Sequence, residues 1–223
     1  MCSSDICSRL GLATSALTYG KAAYLATGRG YAMHSHSMVH LYATYATSHV
    51  YIGVDMMEEQ GHYASADLRG YKSDVWDGGH RIPFIARWPG VIKPGAECDR
   101  LVCLSDLLAT CADIAGDTLP DTAGEDSVSL LPLLQGSNEP VRESVVHHSL
   151  RGKFALRDTK WKLVLSPGSG GWAKDDAEAA AEGLPIVQLY DMEKDLGEKN
   201  NLEGQERDRV REMIRRLERI VLD

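Results

Sequence analysis

The clearest hydrophobic period in the chain lies at its end. Between Gln205 and Leu222, Val210, Met213, Ile214, Leu217, Ile220 and Val221 recur at i, i+3, i+4 and i+7, with charges filling the opposite positions. That spacing predicts an amphipathic helix with one stripe on a core. Upstream, short apolar runs bounded by Gly, Pro and Asp predict strands: Glu143 to Leu150, Phe154 to Arg157, Trp161 to Leu165 and Val187 to Tyr190. Asp158-Thr159-Lys160 joins two of them as a hairpin. These elements predict a small antiparallel sheet under a terminal helix. Arg81 to Trp88 reads as a further strand stopped by Pro89-Gly90. Pro83 has no N–H to give to a ladder, which confines it to the strand's start or edge. Ser105-Asp106 caps a helix running to about Ala115, with Leu107, Leu108, Cys111 and Ile114 on one face and Gly116 as its stop. Ser129 to Leu134 reads as a short apolar turn or helix. Residues 51–80 are polar and Gly-punctuated and read as an extended loop. Ser166 to Gly171 (Ser-Pro-Gly-Ser-Gly-Gly) reads as a flexible one. Residues 1–50 show no sustained period of either kind.

Composition narrows the class. The chain has 223 residues, 43% apolar and 25% charged, which excludes disorder, collagen and coiled coil as whole-chain descriptions. No apolar run approaches the roughly 18–20 residues of a membrane span. A net charge of -8 argues against a general nucleic-acid partner, because a polyanion would be repelled on average. The charge is uneven: Arg9, Lys21, Arg29 and Asp5 give residues 1–50 a net of +2, and the remainder carries -10. All eight prolines follow residue 82. The first residues carry no basic stretch followed by an unbroken apolar run, so no targeting signal is read there. Cys2, Cys7, Cys98, Cys103 and Cys111 make an odd count without a framework, and the last three read as buried small hydrophobes.

One stretch carries chemistry: Gly61-His62, then Leu68-Arg69-Gly70-Tyr71-Lys72-Ser73-Asp74-Val75-Trp76-Asp77-Gly78-Gly79-His80-Arg81-Ile82-Pro83-Phe84, then Arg87-Trp88-Pro89-Gly90. It resembles the type I sulfatase (arylsulfatase) family, where a leucine-arginine-glycine turn, a lysine, an aromatic-acid-Gly-Gly turn and an arginine-aliphatic-proline strand recur in this order. Ser105 to Gly116, Ser129 to Gly136, Phe154-Ala155-Leu156-Arg157 with Lys160-Trp161-Lys162-Leu163, and Gln188-Leu189-Tyr190-Asp191 with Gly197 to Leu202 resemble later family motifs, also in order. The resemblance covers about residues 59–223. It implies an α/β fold, the C-terminal part of an alkaline-phosphatase-like mixed-sheet core over 59–140. A C-terminal subdomain over 141–223 follows, with a small antiparallel sheet and a terminal helix. Residues 1–58 stand outside it as an atypical segment, poorly packed or unrelated to the family.

The resemblance implies hydrolysis of a sulfate monoester to an alcohol and sulfate, on a sulfated small molecule or sulfated carbohydrate. Calcium is the implied cofactor, and family members are usually exported. By the same resemblance Lys72 contacts the sulfate and assists the departing oxygen, and His62 and His80 are candidates to contact substrate. A lysine suits that task as a compact charge with three donors. On pattern alone, Lys72 reads as a solvated lysine and each histidine as a hydrogen-bonding loop residue. Arg69 and Arg81 read as partners of Asp74 or Asp77 that fix the turn. His34, His36 and His40 fit no standard zinc spacing, and His147 and His148 alternate to opposite faces of a strand. The family's nucleophile comes from a Cys/Ser-x-Pro-x-Arg motif and its calcium site from early Asp residues and an Asp-Asn-Gly turn. Neither motif occurs in the 223 residues. The expectation is therefore an N-terminally truncated sulfatase, inactive alone. A non-catalytic remnant or accessory binding module is the alternative.

Overall fold

The computed structural model describes residues 58–222 other than 62 and 64, together with the backbone of the strand segments 23–24 and 40–43. The expectation of a poorly packed or unrelated segment over 1–58 falls, apart from those two strands, outside the described residues. The chain divides into two units, each discontinuous in sequence: Met1–Tyr45 with Pro83–Glu143, and Ala46–Ile82 with Ser144–Asp223.

In the first unit, β1 (Ala23–Tyr24), β2 (His40–Ala43) and β3 (Phe84–Arg87) form an antiparallel sheet in that order, with His40 opposite Arg87 and Ala43 opposite Phe84. Pro83 immediately precedes β3, where its missing N–H breaks no ladder bond. A helical turn at Leu104–Asp106 leads into α2 (Leu107–Ala115), and Gly116 ends it in the left-handed conformation, φ 70°. Asp106 stands at the start of α2 but, contrary to the expected cap, its carboxylate accepts no bond from the first turn of that helix. Wholly buried, it accepts from the Cys103 N–H at 2.7 Å and the Val128 N–H at 3.1 Å and pairs with Arg142. One carboxylate thus ties three separate loops together. Thr110 continues the tie by accepting from the Leu130 N–H at 2.8 Å, just before α3 (Leu131–Leu134). Cys98 is exposed and Cys103 and Cys111 are half-buried, which corrects the expectation of buried small hydrophobes.

The second unit is built on a four-stranded antiparallel sheet: β4 (Ser144–His148), β5 (Phe154–Asp158), β6 (Trp161–Val164) and β7 (Gln188–Asp191), in chain order. The hairpin turn is closed by the Asp158 carboxylate, which accepts from the N–H groups of Lys160 and Trp161 at 2.8 and 2.6 Å. The register places Leu156 opposite Leu163, and Leu163 opposite Leu189. That face is covered by α5 (Arg207–Leu222) through Met213 and Leu217, with Val210 and Ile214 at the margin. Of the stripe read from the sequence, Val210, Met213, Ile214 and Leu217 pack on the sheet, whereas Ile220 and Val221, in the last turn of the helix, are exposed at 42% and 51%. Leu217 is 3% exposed, and Leu217→Ala is expected to cost about 2–4 kcal/mol in urea denaturation. A loss below about 0.5 kcal/mol would mean the stripe is not packed on the sheet.

Alternation sends Val145, His147, Ala155, Arg157, Lys162, Val164, Gln188 and Tyr190 to the other face. This face is not solvated either. Residues 69–80 pack on it, with α1 (Asp77–His80) at their end, and Val75 and Trp76 join Ala155, Val164, Tyr190 and Met192 in a second core. Gln188 holds the Trp76 indole, accepting its N–H at 2.9 Å. The segment Asp176–Ala181 forms a further short helix, α4, whose Asp175 cap accepts from the Ala177 N–H.

Candidate active site

Lys72 sits half-buried on a tight turn, and the turn is fixed by Asp74. The Asp74 N–H donates to the Tyr71 carbonyl at 3.0 Å, and the Tyr71 N–H donates back to Asp74 Oδ2 at 2.8 Å. Asp74 Oδ1 accepts from the N–H groups of Trp172 and Ala173 at 2.9 and 3.1 Å. Burial raises the Asp74 pKa, and these bonds only partly offset that. Ser73 carries φ 87°, an uncommon conformation for a residue with a side chain, stabilised from the far side by its carbonyl accepting from the Leu150 N–H at 2.9 Å. Beneath the turn, a Cβ on Gly78 would stand 2.1 Å from the Gly70 carbonyl oxygen, and one on Gly79 2.3 Å from that of Asp74. The Gly-Gly pair is therefore required by close backbone approach.

His80 touches the same turn from below. Its ring lies beside the Asp74 backbone and packs against His147, with centroids 4.1 Å apart and ring planes tilted by 50°. His147 Nε2 in turn faces the Val75 carbonyl at 3.2 Å. Burial, helped by the nearby Lys162 ammonium, lowers the His80 pKa to about 4 and that of His147 to about 2. Both rings are neutral in the fold, whereas an unfolded histidine titrates near 6.5. Their stabilising contribution is complete above pH 6.5 and is lost as pH falls from there towards about 4. Between pH 7 and pH 5 the urea midpoint is expected to drop by an amount equivalent to ~2–3 kcal/mol. The double variant His80→Gln, His147→Gln should flatten that dependence, and a parent profile flat over this range would contradict it.

Beside the histidines lies a buried ion cluster. Lys162, with no exposed side-chain surface, has its Nζ 2.7 Å from Asp77 Oδ1 and 2.8 Å from Glu198 Oε1. Glu198 Oε2 also accepts from the Asp77 N–H at 2.6 Å. Burial would raise both carboxyls. At Asp77 the charge and hydrogen bond of Lys162, together with the Arg157 charge, outweigh it and hold the pKa below the usual range, while at Glu198 burial prevails and the pKa is raised. Arg69 does not pair with Asp74 or Asp77 by hydrogen bond, as the sequence suggested. It lies 3.7 Å over the Trp76 ring and donates to the Tyr190 hydroxyl and the Glu198 carbonyl at 3.0 and 2.9 Å. The reason is that Asp77 is already committed to Lys162. Burial pushes Tyr190 up to about 12, so its hydroxyl stays protonated and donates to Gln188 Oε1 at 2.6 Å.

Of the sequence-predicted residues, the structure brings Lys72 and His80 to one turn, and His62 lies outside the described residues. His147 and His148 do point apart, and His147 finds His80 instead. Lys162, Glu198 and His147 were not singled out as parts of the site's support. Alternation marks Lys160 and Lys162 as one polar face, and a polar face reads by default as solvent. Among the described residues no group of three or more His, Cys, Asp or Glu side chains is arranged to hold a metal. The pair Asp77–Glu198 already encloses the Lys162 cation, so calcium does not fit there.

No family model matches the chain. It is 34% identical over 163 residues to an N-acetylgalactosamine-6-O-sulfatase of Bacteroides thetaiotaomicron, covering 72% of this chain and 31% of that protein. It is 42% identical over 134 residues to an arylsulfatase of Hemicentrotus pulcherrimus, covering 60% and 24%. It is 37% identical over 148 residues to arylsulfatase A of Homo sapiens, covering 61% and 29%. The chain thus spans about a quarter to a third of the length of these curated relatives. A solved structure reported under metabolism of multiple glycosaminoglycans by Bacteroides thetaiotaomicron superposes with a TM-score of 0.67 at 27% identity, over 84% of this chain and 39% of that one. A Pseudoalteromonas sulfatase superposes with a TM-score of 0.55 at 20% identity, over 69% and 32%, and shares the fold.

Proposed function

We propose, on the premise that the C-terminal region of this chain is homologous to sulfatases of the alkaline-phosphatase-like fold, that it is part of an arylsulfatase-like sulfuric ester hydrolase. The reaction is hydrolysis of a sulfate monoester, with cleavage of an oxygen–sulfur bond to give an alcohol and sulfate. The substrate is a sulfated small molecule or a sulfated carbohydrate. The observation that carries this reading is the rigid presentation of Lys72 by Asp74 and the Gly78–Gly79 pair. In the reading, the Lys72 ammonium binds sulfate oxygens and hydrogen-bonds the ester oxygen as charge develops on it. His62 contacts substrate. His80 serves the same site through the Asp74 backbone, as a positioning residue.

Nucleophile and calcium are the parts this chain does not supply. Its sequence holds no Cys/Ser-x-Pro-x-Arg and no Asp-Asn-Gly, and the described residues offer no metal cluster. Because nucleophile and metal provide most of the rate in such a reaction, the 223-residue chain is expected to show no turnover of an aryl sulfate above background, with or without calcium. A protein extended upstream to carry both motifs is expected to turn over. Robust turnover by the 223-residue chain would overturn the assignment of those roles to another segment. The missing nucleophile motif also favours a second reading, a non-catalytic accessory module, which follows if the DNA immediately upstream encodes neither motif.

A further inference from the structure

The terminal helix α5 is a basic element in an acidic protein. Its 16 residues hold six arginines, no lysine and three acids, Asp208, Glu212 and Glu218, a net of +3. The chain totals -8, so everything outside the helix carries -11. Arg207, Arg211, Arg215 and Arg219 recur four residues apart, and all four are exposed. At about 1.5 Å of rise per residue they form a row roughly 18 Å long, and it advances by about 40° per step around the side turned away from the sheet. Met213 and Leu217 hold the opposite side on the sheet.

Pairing within the helix leaves part of this charge uncompensated. Asp208 is taken by Arg211, and Glu212 by Arg209 at 2.7 Å. Arg207, Arg215 and Arg219 form no ion pair among the described residues, and Glu218 is the acid left beside them. Arg215 Nε donates to the Arg211 carbonyl at 3.2 Å, which holds its side chain along the helix. Like charges four apart on a helix repel, so the row weakens the helix slightly unless an anion neutralises it. A guanidinium grips an oxyanion through two parallel N–H bonds, and a row of them matches an anion that repeats along a chain. A nucleic-acid duplex or a bilayer extends beyond the helix and would be pressed against the -11 of the remaining chain. A bilayer also needs an apolar face, and that of α5 is covered by the sheet as far as Leu217, which leaves Ile220, Val221 and Leu222 of the last turn in water. A sulfated oligosaccharide can be confined to the row.

We propose that the Arg207–Arg211–Arg215–Arg219 row of α5 is a docking surface for a sulfated polysaccharide, which it holds by sulfates other than the one that reacts. The inference rests on the sulfate-ester reading of the Lys72 turn, and it narrows the partner to a polymer that carries several sulfates.

Isothermal titration of the 223-residue protein with a chondroitin sulfate hexasaccharide, and with the same hexasaccharide desulfated, tests this without requiring turnover. The sulfated form should bind, and more weakly as salt is raised from about 20 to about 200 mM, whereas the desulfated form should not bind. Arg207→Gln, Arg215→Gln and Arg219→Gln in one protein should weaken binding about tenfold or more. Glu218→Gln should tighten it by about twofold, because it removes the acid beside the row. The urea midpoints of both variants should match the parent, since none of these four side chains makes an ion pair among the described residues. Lys72→Ala should keep most of the binding. No binding by the parent, undiminished binding by the triple variant, or parent binding of a DNA oligonucleotide or phosphatidylserine vesicles as tight as that of the hexasaccharide overturns the proposal. Failure of the upstream-extended protein to hydrolyse any sulfate ester overturns the hydrolase reading alone and leaves an arginine-dependent glycan surface standing.

Discussion

Lys162→Ala is expected to destabilise the protein by about 3–5 kcal/mol, because it removes the ammonium that bridges two buried carboxylates. Asp77 and Glu198 would remain where no water replaces the ammonium: Glu198 is fully buried and Asp77 nearly so. Lys162→Met should recover little, since it restores volume but not charge, and this separates an electrostatic loss from a cavity. The pH dependence gives an independent check of sign. In the parent the Lys162 charge keeps Asp77 below the ordinary range, so that contribution is present at neutral pH and is lost only in strong acid. Without Lys162 burial acts on both carboxyls with less to offset it and favours their protonation, which relieves the variant as pH falls. The same ammonium also depresses His80 and His147, so its removal makes the variant less sensitive to acid through those rings. Both effects act in one direction, and the stability gap between parent and variant should narrow from pH 8 to pH 5. A loss below about 1 kcal/mol in urea denaturation, or a gap that widens on acidification, would show that the cluster does not stabilise the fold.

This cluster also shows where reading the sequence stops. The stripe Val210–Met213–Ile214–Leu217 was legible because a helix face announces itself within a few turns of one segment. The hairpin at Asp158-Thr159-Lys160 was legible because its turn chemistry is local. Lys162 and Glu198 are 36 residues apart along the chain, and Asp77 lies 85 from Lys162, so nothing local distinguishes them from surface charges. The glycines of residues 168–171 misled for a related reason. Glycine permits mobility in one context and close packing in another, and only the partner, here Ser73 and Lys153, decides which. Gly78-Gly79 were read as a tight turn into a strand, and they are in addition the floor on which the Lys72 turn rests. Lys72 itself came from the order of motifs in residues 61–90, not from periodicity, and what the sequence could not supply was its support. That support is the Asp74 carboxylate, shared between Tyr71 and Trp172 across 101 residues of chain.

In an upstream-extended protein that hydrolyses aryl sulfates, Lys72→Ala is expected to lower kcat by about 100-fold or more and to leave the urea midpoint near that of the parent. The fold should tolerate the change because the bonds that close the turn do not use the lysine side chain: Asp74 binds Tyr71 and Trp172 through their backbone N–H groups, and Leu150 binds the Ser73 carbonyl. The rate should not tolerate it, because the ammonium acts where negative charge grows on the departing oxygen, and that charge is greater in the transition state than in the bound ester. The loss should therefore fall mainly on kcat, with a smaller rise in KM from the lost contact to the sulfate. Lys72→Arg is expected to recover part of the binding and little of the rate, since a guanidinium keeps the charge but cannot occupy the same compact position or give up a proton. Asp74→Asn should act at a distance: it weakens the anchoring of both Tyr71 and Trp172 and should lower kcat by a smaller factor than Lys72→Ala, together with a loss of stability that Lys72→Ala does not share. Full activity of Lys72→Ala in the extended protein would remove Lys72 from the site, and the rigid turn beneath it would then have to be explained as structure alone.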